Sequence, residues 1–270
     1  MNVSESGILD IVAPRLLGPL SSRNGSFVYF RHHLSGDLVE QHGAENPFQG
    51  LDFPDYYKEM ISMDRTFVVD FDADGDLDII SQVYQKPMDG TQASDRLMMP
   101  MELAYRRNDE GRFKDISPED PAYPFRGIEC SRHSHWTFAD WDHDGDLDFI
   151  QTFLPFRSIK IVEQQVQVIL EMKRNGTHQA AINAWMEDAM AVKMRFFRQD
   201  RAGPHGSNIT FSELTGPANP FRHINGLGID FASPAVVDLN HDGEWDLVVA
   251  NKKGNLAASD WKSIEFSTNL

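Results

Sequence analysis

Three short segments of the chain carry acidic residues at alternate positions, a spacing suited to binding a hard cation. Residues 70–78 read Asp-Phe-Asp-Ala-Asp-Gly-Asp-Leu-Asp, residues 140–148 read Asp-Trp-Asp-His-Asp-Gly-Asp-Leu-Asp, and residues 238–246 read Asp-Leu-Asn-His-Asp-Gly-Glu-Trp-Asp. Side-chain oxygens at positions 1, 3, 5 and 9 of such a segment can converge on one point, and the carbonyl at position 7 can join them. Glycine at position 6 permits the tight turn. We name these segments the first, second and third acidic loops.

The chemistry of these ligands favours calcium. Calcium takes six or more oxygen ligands from flexible loops, whereas magnesium demands a stricter octahedral geometry and keeps several waters. Without a cation, so many carboxylates within nine residues would repel one another and raise some of their pKa values. We therefore expect about three calcium ions, one at each loop.

The net charge of the chain has its main source in these loops. The 270 residues include 41 acidic and 25 basic side chains, giving a formal charge of −16, and the three loops contain no Lys or Arg. A chain this acidic lacks the basic face that a phosphate backbone requires, so we expect no nucleic-acid partner.

No apolar run approaches the roughly 20 residues of a membrane span, and no signal peptide is visible at the start of the chain. The single cysteine, Cys130, excludes an internal disulfide.

The residues around the loops predict strands. Each loop follows a short β-branched or aromatic segment, at 66–69, 136–139 and 234–237, and each precedes another, at 77–83, 147–153 and 245–250. An EF-hand would need helices on both sides and a glutamate at position 12. Position 12 is Ser81, Gln151 or Val249 here, so an EF-hand is excluded.

The strands and loops recur with a period of roughly 70 residues. Residues 2–12 align with residues 70–80 as a degenerate copy that keeps Asp10 but has Asn2, Ser4 and Ser6 in place of the acids, so we expect no calcium there. We predict a single all-β domain over 1–270, a β-propeller or partial propeller of four-stranded blades. Its units are 1–65, 66–135, 136–233 and 234–270. We expect the chain to be a piece of a longer propeller, truncated at both ends.

The third unit is longer than the others. At about 158–191, apolar residues fall at helical spacing on either side of Asn175-Gly176, which predicts a helical hairpin inserted in this unit. The apolar stripe of the hairpin either packs on the blade or binds a partner.

The form Asp-x-Asp-x-Asp-Gly-x-x-Asp between two strands, once per unit, resembles the FG-GAP/VCBS repeats found in integrin alpha-chain propellers. The resemblance extends over the whole chain at the level of the repeat. The Phe-Gly pair is absent, since Val69, Ala139 and Val237 precede the loops, and this favours the VCBS-like branch. Asn240 supplies one charge less than aspartate, so the third site should be the weakest. The resemblance implies calcium sites at Asp70, Asp72, Asp74, Asp78 and the Asp76 carbonyl; at Asp140, Asp142, Asp144, Asp148 and the Asp146 carbonyl; and at Asp238, Asn240, Asp242, Asp246 and the Glu244 carbonyl.

By this resemblance, the protein is expected to be an extracellular or cell-surface glycoprotein that recognises a protein or glycan ligand in adhesion, with calcium in a structural role. Two alternatives stay open: a propeller-containing enzyme acting on polysaccharide or phospholipid, and a purely structural segment of a larger surface protein. We favour a non-enzyme, because His133 and His135 share a strand face without an assignable third ligand, and Cys130 has no neighbour that would activate it. Asn-x-Ser/Thr sequons predict glycosylation at Asn24, Asn175 and Asn208.

Overall fold

The structure is a computed structural model, and it describes most of the chain. The described residues are 10–14, 27–51, 63–84, 101–130, 134–153, 159–189, 193–202, 208–224, 234–251 and 263–267. Strands are the predominant secondary structure among them, as the sequence predicts for an all-β fold. The strands are β1 (Ile11–Pro14), β2 (Phe27–His32), β3 (Leu38–Gln41), β4 (Met63–Val69), β5 (Asp78–Tyr84), β6 (Met101–Asp109), β7 (Arg112–Ile116), β8 (His135–Ala139), β9 (Asp148–Phe153), β10 (Lys193–Ala202), β11 (Asn208–Leu214), β12 (Pro234–Val237), β13 (Asp246–Asn251) and β14 (Ser263–Ser267).

The described strands form four antiparallel sheets, each built from strands that follow one another along the chain. Their orders are β1-β2-β3, β4-β5-β6-β7, β11-β10-β9-β8 and β12-β13-β14. Each acidic loop joins the first strand of a sheet to the second, because β4 and β5, β8 and β9, and β12 and β13 pair across the loops. The loops are therefore hairpin connections at the end of a sheet.

In each four-stranded sheet, the strand that comes second along the chain, β5 or β9, is the most buried element. All six residues of β9 are buried, including Gln151 and Thr152, and β5 is buried from Asp78 to Val83. β9 pairs with β8 on one side, with Ala139 opposite Asp148, and with β10 on the other, with Phe197 opposite Phe149. A run of β-branched and aromatic residues suits a strand that is covered on both faces. The last residue of each of these two loops is thereby held inside the core.

The chain divides into two compact units, each with its own core. Unit 1 comprises residues 1–89, 101–127 and 203–208, and unit 2 comprises residues 90–100, 128–202 and 209–270. In unit 1 the first strands of successive sheets, β1 and β4, contact each other, and in unit 2 β8 contacts β12. One buried cluster in unit 1 contains Phe27, Tyr29, Phe48, Ile79, Val83 and Ala104, and one in unit 2 contains Ile150, Met194, Phe196, Phe221, Leu247 and Val249.

Two helices, α1 (Ile159–Arg174) and α2 (Gln179–Ala189), lie between β9 and β10 where the sequence predicts a helical hairpin. Gly176, with φ of 73°, follows α1. The amide of Thr177 donates to the carbonyl of Met172 at 2.9 Å, so a glycine C-cap ends the helix. Ile182 is buried, whereas Val166 and Met186 are exposed. Within the described residues, neither helix is long and apolar enough to cross a membrane.

Candidate metal centre

The first acidic loop brings three carboxylates together between β4 and β5. Asp70, Asp72 and Asp74 each present an oxygen, and these oxygens all lie within 4.8 Å of one another. The amide of Gly75 donates to Oδ2 of Asp70 at 3.1 Å, and the amide of Asp76 donates to Oδ1 of Asp74 at 2.9 Å. Oδ1 of Asp70 and Oδ1 of Asp72 are buried without a hydrogen-bond donor among the described residues. A buried carboxylate oxygen without a donor is destabilising, and a bound cation would compensate it.

The second acidic loop repeats this arrangement between β8 and β9. Oxygens of Asp140, Asp142 and Asp144 lie within 4.8 Å of one another. The amide of Gly145 donates to Oδ2 of Asp140 at 3.1 Å, and the amide of Asp146 donates to Oδ1 of Asp144 at 2.9 Å. Oδ1 of Asp140 is buried without a donor in the described part of the chain. The two loops therefore offer the same set of convergent oxygens.

The backbone of all three loops adopts the left-handed conformation at two positions. Position 6 is the glycine that the sequence assigns to the turn, and its φ is 100°, 90° and 90° in the three loops. Position 4 also has positive φ, although its side chains are not glycine, and this conformation costs about 1 kcal/mol or more for such residues. The position 4 residues are Ala73 (φ 54°), His143 (φ 58°) and His241 (φ 60°). A shared, strained backbone indicates that the three loops have one common geometry.

The carboxylate at position 9 binds the protein itself in the first two loops. Oδ1 of Asp78 accepts the amide of Asn108 at 2.7 Å, and its Oδ2 accepts the hydroxyl of Tyr105 at 3.1 Å and the amide of Phe71 at 3.3 Å. Asp148 similarly accepts the amide of Gln199 at 3.0 Å and that of Trp141 at 3.2 Å. Both carboxylates are fully buried. The clustered oxygens thus come from positions 1, 3 and 5, while position 9 ties the loop to the third strand of its sheet.

Burial raises the pKa of several loop carboxylates. The pKa of Asp78 and that of Asp148 are each raised to about 7 because both side chains lie away from water. The pKa of Asp72 is raised to about 6, first by burial and next by the charge of Asp74. A divalent cation would act in the opposite direction, since a nearby positive charge favours the ionised form.

The degenerate copy at the start of the chain retains the tie made by position 9. Asp10 is buried, its Oδ1 accepts the amide of His32 at 2.9 Å, and its Oδ2 accepts the hydroxyl of Tyr29 at 3.0 Å. Residues 1–9 lie outside the described residues, so the absence of calcium from this copy stays a prediction. Asp10 nevertheless accepts hydrogen bonds from β2, as Asp78 does from β6.

The third acidic loop shares the hydrogen bonds of the other two but differs in its charges. The amide of Gly243 donates to Oδ2 of Asp238 at 3.0 Å, and that of Glu244 donates to Oδ1 of Asp242 at 2.9 Å. At position 3, Nδ2 of Asn240 donates to Oδ2 of Asp242 at 2.8 Å. At position 9, Asp246 accepts the amide of Leu239 at 3.0 Å. Asn240 therefore directs a donor toward a neighbouring carboxylate in this loop.

Aromatic side chains at position 2 anchor the first two loops in the core. The ring of Phe71 packs 5.5 Å from that of Phe125, and the ring of Trp141 packs 4.7 Å from that of Phe221, measured between centroids. Phe125 and Phe221 belong to Pro-Phe pairs that recur along the chain. These contacts fix the start of each loop while position 9 fixes its end.

The acids at position 7 hold the loops through their side chains, which sequence reasoning missed because it considered only the backbone carbonyl. Oδ2 of Asp76 accepts the amide of Glu110 at 2.7 Å. Asp146 forms an ion pair with Arg201 at 2.8 Å, and Glu244 lies 3.5 Å from His143. The recurrence of an acid at position 7 of every loop is the sequence feature that could have predicted this side-chain role.

Other candidate residues fall in different places. His133 and Asn24 lie outside the described residues, whereas His135 is buried in β8. Cys130 is buried, with its sulfur 3.6 Å from the side-chain amide nitrogen of Gln151. Asn175 is exposed beyond the end of α1, and Asn208 is the first residue of β11. Use of the sequons stays a prediction.

Comparison with protein-family models finds no match to this chain. Comparison with curated proteins likewise finds no similar protein.

Proposed function

We propose that the protein is a calcium-binding repeat module in which the first and second acidic loops each hold one calcium ion. The observation that carries this proposal is the convergence of three carboxylates in each loop, with buried oxygens that lack a donor among the described residues. The ligands are the side chains at positions 1, 3 and 5 and the carbonyl at position 7. These are Asp70, Asp72, Asp74 and Asp76 in the first loop, and Asp140, Asp142, Asp144 and Asp146 in the second.

Calcium is the cation that suits these loops best. Every ligand is oxygen, three are carboxylates, and waters can complete a coordination number of six to eight. Calcium modules in extracellular proteins bind with dissociation constants of about 10⁻⁴–10⁻³ M, which corresponds to an ion in a structural role. In this role the ion holds the hairpin between the first and second strands of a sheet.

We propose further that the sheets are blades of a β-propeller or of a partial propeller. The meander order of strands in each sheet supports this, as do the contacts of β1 with β4 and of β8 with β12. As the wider role we retain extracellular recognition of a protein or glycan ligand. A binding screen with glycans and proteins, run in millimolar calcium and again after chelation, tests this role.

Calcium titration of the full chain, by calorimetry and by equilibrium dialysis, tests the proposal directly. We expect Asp70→Asn/Asp74→Asn to remove one binding event and Asp140→Asn/Asp144→Asn to remove another, because each pair removes two of the three clustered carboxylates. Glu119→Gln/Glu171→Gln is the matched control, since it changes the net charge equally at two exposed residues. Absence of bound calcium in the millimolar range would exclude the proposed function, and so would unchanged binding in both loop variants.

A further inference from the structure

The third acidic loop satisfies its own carboxylates. Oδ1 of Asp238 accepts the amide of Asp242 at 3.2 Å, and its Oδ2 accepts the amide of Gly243 at 3.0 Å. Asp242 accepts the amide of Glu244 at Oδ1 and the side-chain amide of Asn240 at Oδ2. Oδ1 of Asn240 itself accepts the amide of Asp242 at 3.0 Å. All four carboxylate oxygens at positions 1 and 5 therefore have donors, unlike Oδ1 of Asp70 or of Asp140.

The same loop is bonded to the second acidic loop within unit 2. Nε1 of Trp245 donates to the backbone carbonyl of Asp140 at 2.6 Å. The ring of Trp245 lies nearly parallel to that of His143, with 13° between the planes and 6.1 Å between centroids. Glu244 lies 3.5 Å from Nε2 of His143. Asp140 supplies a ligand of the proposed second site, so Trp245 fixes the backbone that carries this ligand.

The sequence difference behind these contacts lies at position 8. The first two loops have Leu77 and Leu147 there, and leucine offers no side-chain donor. Trp245 takes this position in the third loop and reaches a residue 105 positions earlier in the chain. The contact of β12 with β8 brings the two loops together.

We propose that the third loop is a supporting loop that binds no cation and that positions Asp140 for calcium binding in the second loop. The side-chain amide of Asn240 donates to Asp242 and so takes the place that a cation would have beside this carboxylate. Trp245 holds the backbone of Asp140. This inference rests on the proposed function, because it assigns Trp245 a role at the proposed second site. Trp245 is thus a positioning residue and not a ligand.

The test measures calcium affinity in the full chain with the first loop disabled by Asp70→Asn/Asp74→Asn, so that the second loop is observed by itself. We expect one bound calcium in this background. Trp245→Phe keeps the ring but removes the N–H, and we expect about fivefold weaker binding, the effect of one net hydrogen bond. Trp245→Leu, which restores the residue of the other loops, should weaken binding at least as much. Trp185→Phe on α2 is the matched control and should leave the affinity unchanged.

A second variant tests the part played by Asn240. Asn240→Asp removes the amide donor and adds a carboxylate, and we expect it to create an additional calcium-binding event that Asp238→Asn then abolishes. An unchanged affinity in Trp245→Phe, or a third calcium in the unaltered chain that is lost in Asp238→Asn, would overturn the supporting role while leaving the proposed function intact. Absence of any bound calcium in the unaltered chain would instead remove the proposed function, and this inference with it.

Discussion

At the residue scale, the loop carboxylates fall into two groups with different surroundings. Asp70, Asp72 and Asp140 keep a buried oxygen without a donor in the described structure, whereas Asp78 and Asp148 accept hydrogen bonds at both oxygens. The carboxylates of the first group have oxygens available to bind a cation. Those of the second group connect the loop to a neighbouring strand by hydrogen bonds. The degenerate copy agrees with this division, because it has lost the acids at positions 1, 3 and 5 but keeps the bonded carboxylate at position 9.

We therefore predict that Asp78→Ala destabilises the protein whether calcium is present or not. The substitution leaves the buried hydroxyl of Tyr105 and the part-buried amide of Asn108 without an acceptor, which should lower the free energy of unfolding by about 2 kcal/mol or more. Urea denaturation in calcium and in chelator measures both values. Asp74→Ala is the matched variant, and it should lose mainly the calcium-dependent part of the stability. A destabilisation by Asp78→Ala that vanishes in chelator would instead make Asp78 a calcium ligand.

At the element scale, the helical hairpin is an addition to a sheet that is complete without it. β9 and β10 stay paired up to Phe153 and Lys193, on either side of the helices. Ile182 is buried, while Val166, Leu170 and Met186 are 45%, 43% and 40% exposed. Because the chain leaves and re-enters the sheet at adjacent positions, the sheet places no demand on the length of the insertion.

We predict that a short Gly/Ser linker in place of residues 158–191 preserves both the sheet and calcium binding. Far-UV circular dichroism should lose its helical component, and the melting temperature should fall by less than about 4 °C, a change of roughly 1 kcal/mol. Ile182→Ala in the full chain is the companion variant, and it should weaken the helices without altering calcium stoichiometry. Loss of calcium binding in either variant would contradict this and make the hairpin part of the folded core.

At the scale of the whole molecule, most of the excess negative charge lies in the three acidic loops, and the two proposed ions would offset part of it. The first loop belongs to unit 1 and the second to unit 2, so each compact unit contains one proposed calcium site. An ion that binds the folded chain and not the unfolded chain stabilises by mass action. Calcium is therefore expected to stabilise both units.

We predict that chelation lowers the melting temperature and that added calcium restores it. At about 1 mM calcium, a site with a dissociation constant of about 0.1 mM contributes about 1.4 kcal/mol to the free energy of unfolding. Two such sites would contribute about 3 kcal/mol, or several degrees in melting temperature. Differential scanning calorimetry across a calcium series measures this, with magnesium as the weaker comparison ion. A melting temperature that does not change across the calcium series would contradict the stabilising role.

The sequence by itself determined the features encoded within a few consecutive residues. Acids at alternate positions, glycine at position 6 and β-branched flanks specify a tight acidic turn between two strands, and the helical spacing near Asn175 specifies the hairpin. All of these are local, because backbone preference and side-chain alternation act over short segments. The all-β fold and the clusters of Asp70 with Asp72, and of Asp140 with Asp142, could therefore be anticipated.

The tertiary structure alone decided which loop oxygens accept hydrogen bonds from distant parts of the chain. Asp78 is bonded to Asn108, 30 residues away, Asp148 to Gln199, 51 residues away, and Trp245 to Asp140, 105 residues away. Strand pairing and the contact between β8 and β12 set these partners. An aspartate at position 9 looks the same in the sequence whether it faces an ion or an amide. The donor is a backbone amide on a strand that is distant in sequence, and only folding brings it to the aspartate. The spacing of the acids therefore cannot predict it.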